Sequence, residues 1–192
     1  SNGRRTSMNL TVADKRQYWV LERLKDAFST TTFEHLPEYH QFRATFNGGF
    51  QNIIYSFSHY DDLSIVELFM GIRHDAIEQL AHPFTQGLQS FTNESNTVVA
   101  SIKAYQEGGF ERFKVTSPQT ANDIVEQTTN FLTQEGFLLL DHLKVIQSVD
   151  QLLNDLSISK HLWSLNPFNR AVRGITAARL VFRPDFDFLI QH

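Results

Sequence analysis

The chain has 192 residues, enough for one substantial core, and at 41% hydrophobic and 20% charged it has the composition of an ordinary soluble globule. A formal net charge of -4 gives no global attraction to nucleic acid or anionic lipid, and the lack of cysteine excludes disulfides, thiolate metal sites and cysteine nucleophiles. The unusual figure is 17 phenylalanines, a side chain that buries a large area without needing a polar partner and so favours thick packing between layers.

No apolar run approaches the roughly 20 residues that span a bilayer. Together with the lack of a recognisable secretory segment, this leads us to expect a cytoplasmic protein without a membrane partner. Residues 1–9, SNGRRTSMN, read as a polar tail. Residues 10–192 are expected to form a single domain.

The first helix is expected from Thr11 to about residue 30. Thr11 and Asp14 have capping-box spacing, and Val20, Leu21, Leu24 and Phe28 recur at helical intervals, with Tyr18 and Trp19 widening the stripe toward the core edge. Residues 29–40, STTTFEHLPEYH, carry β-branched, polar and proline residues and read as a connector.

Residues 42–74 organise the rest of the chain. Three runs, FRATF, FQNIIYSFSHY and LSIVELFMGIR, are separated by Asn47-Gly48-Gly49 and by Asp61-Asp62, which predicts an antiparallel meander. In the middle run Ile53, Tyr55 and Phe57 point one way and Asn52, Ser56 and Ser58 the other. In the third run Val66, Leu68, Met70 and Ile72 form the dry set, while Ile65 and Phe69 keep the opposite face, which includes Glu67, from being fully polar.

A short helix should follow from His74, with Ile77, Leu80 and Phe84 inward and Pro83 limiting it. After a polar connection containing Phe91, the run TVVASIKAYQ alternates with Val98, Ala100, Ile102 and Ala104 on one side and reads as a fourth strand. ERFKV, beyond Gly108-Gly109, reads as a fifth, the two making a hairpin.

Ser117-Pro118 opens the strongest helix, whose stripe is Ile124, Val125, Thr128, Phe131 and Leu132 and whose stop is expected at Gly136. FLLLDHLKVIQ reads as a buried helix or a lead into one. Ser148 and Gln151 have capping-box spacing ahead of a short helix burying Val149, Leu152, Leu153 and Leu156. Beyond Trp163, Asn166-Pro167 starts a helix with Ala171, Ile175, Ala178 and Phe182 as its stripe and with Gly174 and Ala178 permitting close approach. The order of elements predicts an α+β fold, an antiparallel sheet of about four or five strands packed against a leading helix and a mainly helical C-terminal half.

Chemistry-bearing patterns are weak. His74, Glu78 and His82 fall on one helix side, but the outer pair would stand about 12 Å apart along the axis, too far for one ion to take all three. No metal or other cofactor is expected. His59, Asp61 and Asp62 cluster at a strand end, where two acids can divide acid and base roles, although a polar hairpin turn is the better explanation of both aspartates. His35, His40, His142, His161 and His192 are scattered, without the context of a catalytic triad.

Neither a G-x-S-x-G elbow nor a glycine-rich phosphate cradle is present. Arg170, Arg173, Arg179 and Arg183 could make a basic strip for phosphates, but the negative net charge and the acids Asp185 and Asp187 beyond it argue against nucleic acid.

The meander GFQNIIYSFSHYDDLSIVELFMGIRHDAIEQL, followed by apolar helices and RGITAARLVFRPDFDFLIQH, resembles small bacterial domains of unknown function over residues 40–191. That resemblance implies a compact α+β fold and carries over no functional residue.

Two readings stay open. One is a noncatalytic interaction or ligand-binding module, with a protein partner, a second copy or a small ligand held on a concave face between the sheet and the later helices. Asn52, Ser56, Ser58 and Glu67 on the wet sheet face, and Arg179 and Arg183 on the late helix, are its candidate binding residues. The other is a small hydrolase or metal-assisted enzyme drawing on His59, Asp61, Asp62, His74, Glu78 and His82 if these converge.

Overall fold

The structure is a computed structural model and describes residues 10–85, 93–107, 112–155, 163 and 166–191. The tail, Phe91, the Gly108-Gly109 pair, Leu156, His161 and His192 lie outside the described residues.

Helix α1 (Val12–Phe28) begins with a complete capping box. Asp14 N–H donates to the Thr11 hydroxyl, and Thr11 N–H donates to the Asp14 carboxylate. Val20, Leu24 and Phe28 are buried at the expected spacing, each contributing about 1.5–3 kcal/mol relative to exposure. Tyr18 faces out instead of widening the stripe, and the turn it belongs to buries Arg16. Arg16 donates to the carbonyls of Tyr60 and Asp61 at 2.9 and 3.1 Å, tying α1 to a sheet turn.

The meander forms as the alternation requires. Strands β2 (Gln41–Phe46), β3 (Gly49–His59) and β4 (Ser64–His74) pair antiparallel in sequence order. Gly48 turns the first hairpin with φ 99°, and a Cβ on Gly49 would collide with the Arg73 carbonyl oxygen at 1.8 Å. The second turn closes around Asp61-Asp62, with Tyr60 N–H donating to the Leu63 carbonyl.

Among the described residues the sheet has six strands. The strand missed in the sequence is β1 (Glu34–Leu36), a three-residue edge pairing with β2 inside the stretch read as a connector, followed by a 3-10 turn Pro37–Tyr39. At the other edge the expected hairpin does not exist. Strand β5 (Val98–Ser101) pairs with the Phe69–Ile72 end of β4, and β6 (Phe113–Val115) pairs with its Ser64–Val66 end, so the two share one lane. Strand β5 ends at Ser101 because the chain turns there into helix α3 (Ile102–Glu107), and the Ser101 hydroxyl accepts from Ala104 N–H.

The dry face of the sheet is covered by α1 and by α4 (Pro118–Phe131), whose Ser117 cap forms as expected. Gly136 does not stop that helix. A π turn, Leu132–Gly136, carries it into α5 (Phe137–His142), with Phe137 N–H donating to the Leu132 carbonyl five residues back. The glycine serves close packing, since a Cβ there would stand 2.7 Å from Leu132 Cδ2.

Helix α6 (Ile146–Asn154) starts at Ile146, two residues before the expected cap, so Ser148 is a buried position inside it. Helix α7 (Pro167–Leu180) is capped by Asn166, which accepts from Asn169 N–H. Its inward face is Gly174, Ala177 and Ala178; Ala171 is exposed and Phe182, at 84% exposure, stands outside the stripe.

Asn154 donates to the Gly174 carbonyl at 2.8 Å, the close approach that the glycine permits. The short α8 (Phe186–Leu189) ends the described chain. The fold is therefore α+β with a helical C-terminal half, and no helix among the described residues is long and apolar enough to cross a membrane.

Candidate functional site

The wet side of the sheet is not open to water where Asn52 stands. Asn52 is 0% exposed because residues 94–97 lie across it. Asn52 and Asn96 exchange amide hydrogen bonds at 3.1 and 2.6 Å, and Asn52 also donates to Gln41 at 2.9 Å. The space comes from Gly71 on β4, where a Cβ would meet the Asn96 amide nitrogen at 2.3 Å. On either side of this pair Arg43 reaches Glu94 while lying over the Phe50 ring at 3.8 Å, and Arg73 donates to Asp75 and to the Ser95 carbonyl and hydroxyl.

Glu78 extends this network toward the C-terminal helices. It lies on helix α2 (Asp75–Ala81), whose inward face is Ile77, Glu78 and Ala81, while Leu80 and Phe84, expected inside, are exposed. Its carboxylate is 2% exposed and takes a two-pronged contact from Arg173, Nε to Oε2 at 2.9 Å and Nη2 to Oε1 at 2.8 Å. The hydroxyls of Ser95 and Thr97 donate to its two oxygens at 2.8 and 3.2 Å. Every partner is protein, and the assembly has the character of a structural lock.

The remaining histidines and acids take local partners. His74 is buried, and its Nε2–H donates to the Leu143 carbonyl at 2.7 Å. Burial pushes its pKa below the ordinary value, against the opposing effect of that bond. His82 opens a 3-10 turn ending at Phe84, beyond α2. His59 Nδ1 contacts the Ser64 hydroxyl at 2.7 Å, and Asp61 and Asp62 are exposed in the turn that Arg16 holds by its backbone. Among the described residues no group of three or more His, Asp or Glu side chains is gathered as metal ligands would be.

Ser56 and Ser58 are exposed near the far end of β3. Ser56 faces Glu67 across the ladder, and Glu67 pairs with Arg112 at 3.3 Å. Of the late arginines, Arg173 turns inward to Glu78. Arg183 is held by Asp150, Asp155 and Asp185 at 3.2, 3.1 and 2.6 Å, and its bond holds the Asp185 carboxyl below the usual range. Arg179 is exposed with its guanidinium 5.6 Å from the Phe186 ring centre. The arginines do not share one face.

A different region has the features of a binding site. A cavity of about 390 Å³ opens between α3 and the junction of α4 with the π turn, lined by Tyr105, Gln106, Gln127, Asn130, Phe131, Gln134 and Glu135. Helical spacing puts Gln127, Asn130 and Gln134 on one side, and the extra residue in the π turn sets Gln134 and Glu135 at the cavity wall.

Tyr105 is held between Phe131 and the buried Trp163, with ring centres 5.8 and 6.0 Å away. Burial first, and then the negative charge of Glu135, raises the phenol pKa, so at neutral pH Tyr105 offers an O–H donor. Gln106 Oε1 is buried and takes no hydrogen bond from any group among the described residues. None of these residues was singled out in the sequence, except Phe131 as core. The signal in the sequence is the amide stripe of Gln127, Asn130 and Gln134, which are exposed and so look like ordinary solvated helix surface.

No protein-family model matches the chain, and no match is found among curated proteins or among solved structures.

Proposed function

We propose that the protein is a noncatalytic module that binds a small polar ligand in the amide-lined cavity between α3 and α4. The supporting observation is the buried, unpartnered Gln106 oxygen in the wall of a cavity otherwise furnished with donors and acceptors. Native structures rarely leave a buried acceptor unpaired, because the lost hydration costs about 1–3 kcal/mol. A ligand donor placed there removes that cost on binding.

The size suits such a ligand, since small-molecule pockets run from about 300 to 1,000 Å³. The cavity is also built on helices and backed by buried rings, which hold its polar groups in place.

The direct test is a small-molecule screen of isotope-labelled protein by amide-shift mapping, using neutral, cationic and anionic fragments. The expected hits shift the signals of Tyr105, Gln106, Asn130 and Gln134. If no fragment of any class moves these signals, or if hits map only elsewhere, the cavity is not the binding site.

A further inference from the structure

We infer that the ligand class is a neutral, polyhydroxylated molecule, a saccharide of one or two rings, recognised by the side-chain amides and the aromatic corner of the α3–α4 cavity. The inference rests on the reading of that cavity as the binding site and specifies its chemistry.

The first ground is charge. Among the described residues the lining contains no Lys, Arg or His, and its one carboxylate is Glu135. An anionic ligand would meet a carboxylate with no cation to offset it, so phosphates and carboxylates are disfavoured. The second ground is hydrogen-bond type. Gln106, Asn130 and Gln134 each combine an N–H₂ donor with a carbonyl acceptor, Tyr105 adds an O–H, and Glu135 only accepts. A sugar hydroxyl both donates and accepts, so adjacent hydroxyls can pair with successive amides while one donates to Gln106 Oε1. A purely apolar ligand would leave these groups desolvated without partners.

The third ground is shape. The rings of Tyr105 and Phe131 meet at 48° with centres 5.8 Å apart, forming an apolar corner beside the amides. The C–H face of a pyranose has that pairing of an apolar face with a polar rim. The cavity volume of about 390 Å³ sits near the low end of small-ligand pockets, which suits one or two rings better than a long chain.

The test is calorimetric and saturation-transfer titration with methyl α-glucoside, methyl β-galactoside, N-acetylglucosamine, maltose and cellobiose. Glucuronic acid, glucosamine and choline serve as charged counterparts, and the amide signals confirm folding of each variant. At least one neutral saccharide is expected to bind and to outcompete its acidic counterpart. Asn130→Leu and Gln134→Leu, at side chains exposed in the free protein, should each weaken it by about tenfold through loss of a hydrogen bond made to the ligand.

Preference for choline or glucosamine, abolished by Glu135→Gln, would overturn the saccharide assignment and leave the cavity as the binding site. Preference for glucuronic acid would do the same. Saccharide binding indifferent to both Leu variants would overturn the location. Silence of all eight compounds overturns the saccharide assignment, and silence of the broader fragment screen as well overturns the site itself.

Discussion

Breaking the contact between Glu78 and Arg173 should be among the most damaging changes available outside the apolar core. The carboxylate is 2% exposed and receives four protein hydrogen bonds, two from Arg173 and one each from Ser95 and Thr97. Removing one member leaves the other buried and uncompensated, which costs about 3–5 kcal/mol. Arg173→Met and Glu78→Met should each reach that range.

The double variant removes both charges and fills similar volume, leaving chiefly the two hydroxyls to find new acceptors. It should cost no more than the worse single change, so the coupling is at least the smaller single cost, about 3 kcal/mol. In a chain of this size each kcal/mol moves Tm by about 2–4 °C, so the single variants should melt roughly 6–20 °C lower. Urea titrations of the four proteins, read as shifts in midpoint at constant slope, supply the cycle. Additive single effects, or a Glu78→Met cost under about 1 kcal/mol, would refute the view that this pair is desolvated and mutually dependent.

Three further changes follow from single residues. The Thr128 hydroxyl is fully buried without a hydrogen bond among the described residues, so Thr128→Val should raise stability by about 1 kcal/mol in the same urea assay; a loss of that size would mean the hydroxyl is bonded. Phe182 ends α7 in the left-handed region, φ 54°, with its own N–H donating to the Arg179 carbonyl and that of Arg183 to Ala178. It is 84% exposed, so Phe182→Gly relieves strain at little cost in burial and should stabilise by about 0.5–1 kcal/mol, a prediction that an unchanged or lower midpoint would defeat.

Burial lowers the pKa of both His74 and His35, so below about pH 6.5 the unfolded chain takes up these protons before the folded one does. Stability should therefore fall as pH drops from about 6.5 toward the folded pKa values, by at most about 1.4 kcal/mol per pH unit per group. Substituting both histidines by Gln should flatten that slope between about pH 7 and pH 5, and an unaltered slope would assign it to other groups.

Much of the fold was legible because it depends on local rules. The capping boxes at Thr11 and Ser117 and the alternation through Ile53, Tyr55, Val66, Leu68, Met70 and Ile72 each fix an element with little reference to distant chain. The errors lie where distant chain decides. Glu78 reads as a solvated helix position until Arg173, 95 residues later, supplies the counter-charge. Asn52 reads as wet until Asn96 covers it in the space left by Gly71.

Gly136 reads as a helix stop because glycine often is one, yet here its missing side chain lets a π turn pass Leu132. The exposed Leu80 and Phe84 show a related limit: periodicity gives the spacing of a stripe, and tertiary packing chooses which stripe turns inward. The candidate cavity was illegible for a similar reason. Its amides follow helical spacing, but the face becomes a cavity only where α3, which precedes β6 in the chain, brings Tyr105 and Gln106 to it.

The two polar regions treat the same functional group differently, and that difference supports the proposed placement of the ligand. On the sheet, the Asn52, Asn96 and Gln41 amides bond to one another, and the charged groups beside them are paired within the protein. Such a network gains nothing from a ligand, which would have to break bonds already made. In the α3–α4 cavity the Gln106 amide oxygen on α3 is buried without a partner among the described residues, beside a phenol and facing amides of α4, the helix that runs into a π turn. Unsatisfied groups and irregular helix turns persist where another requirement outweighs stability. Gln106→Met provides the corresponding measurement: it should leave the free protein as stable as before or more so while weakening ligand binding, a combination that a purely structural glutamine would not produce.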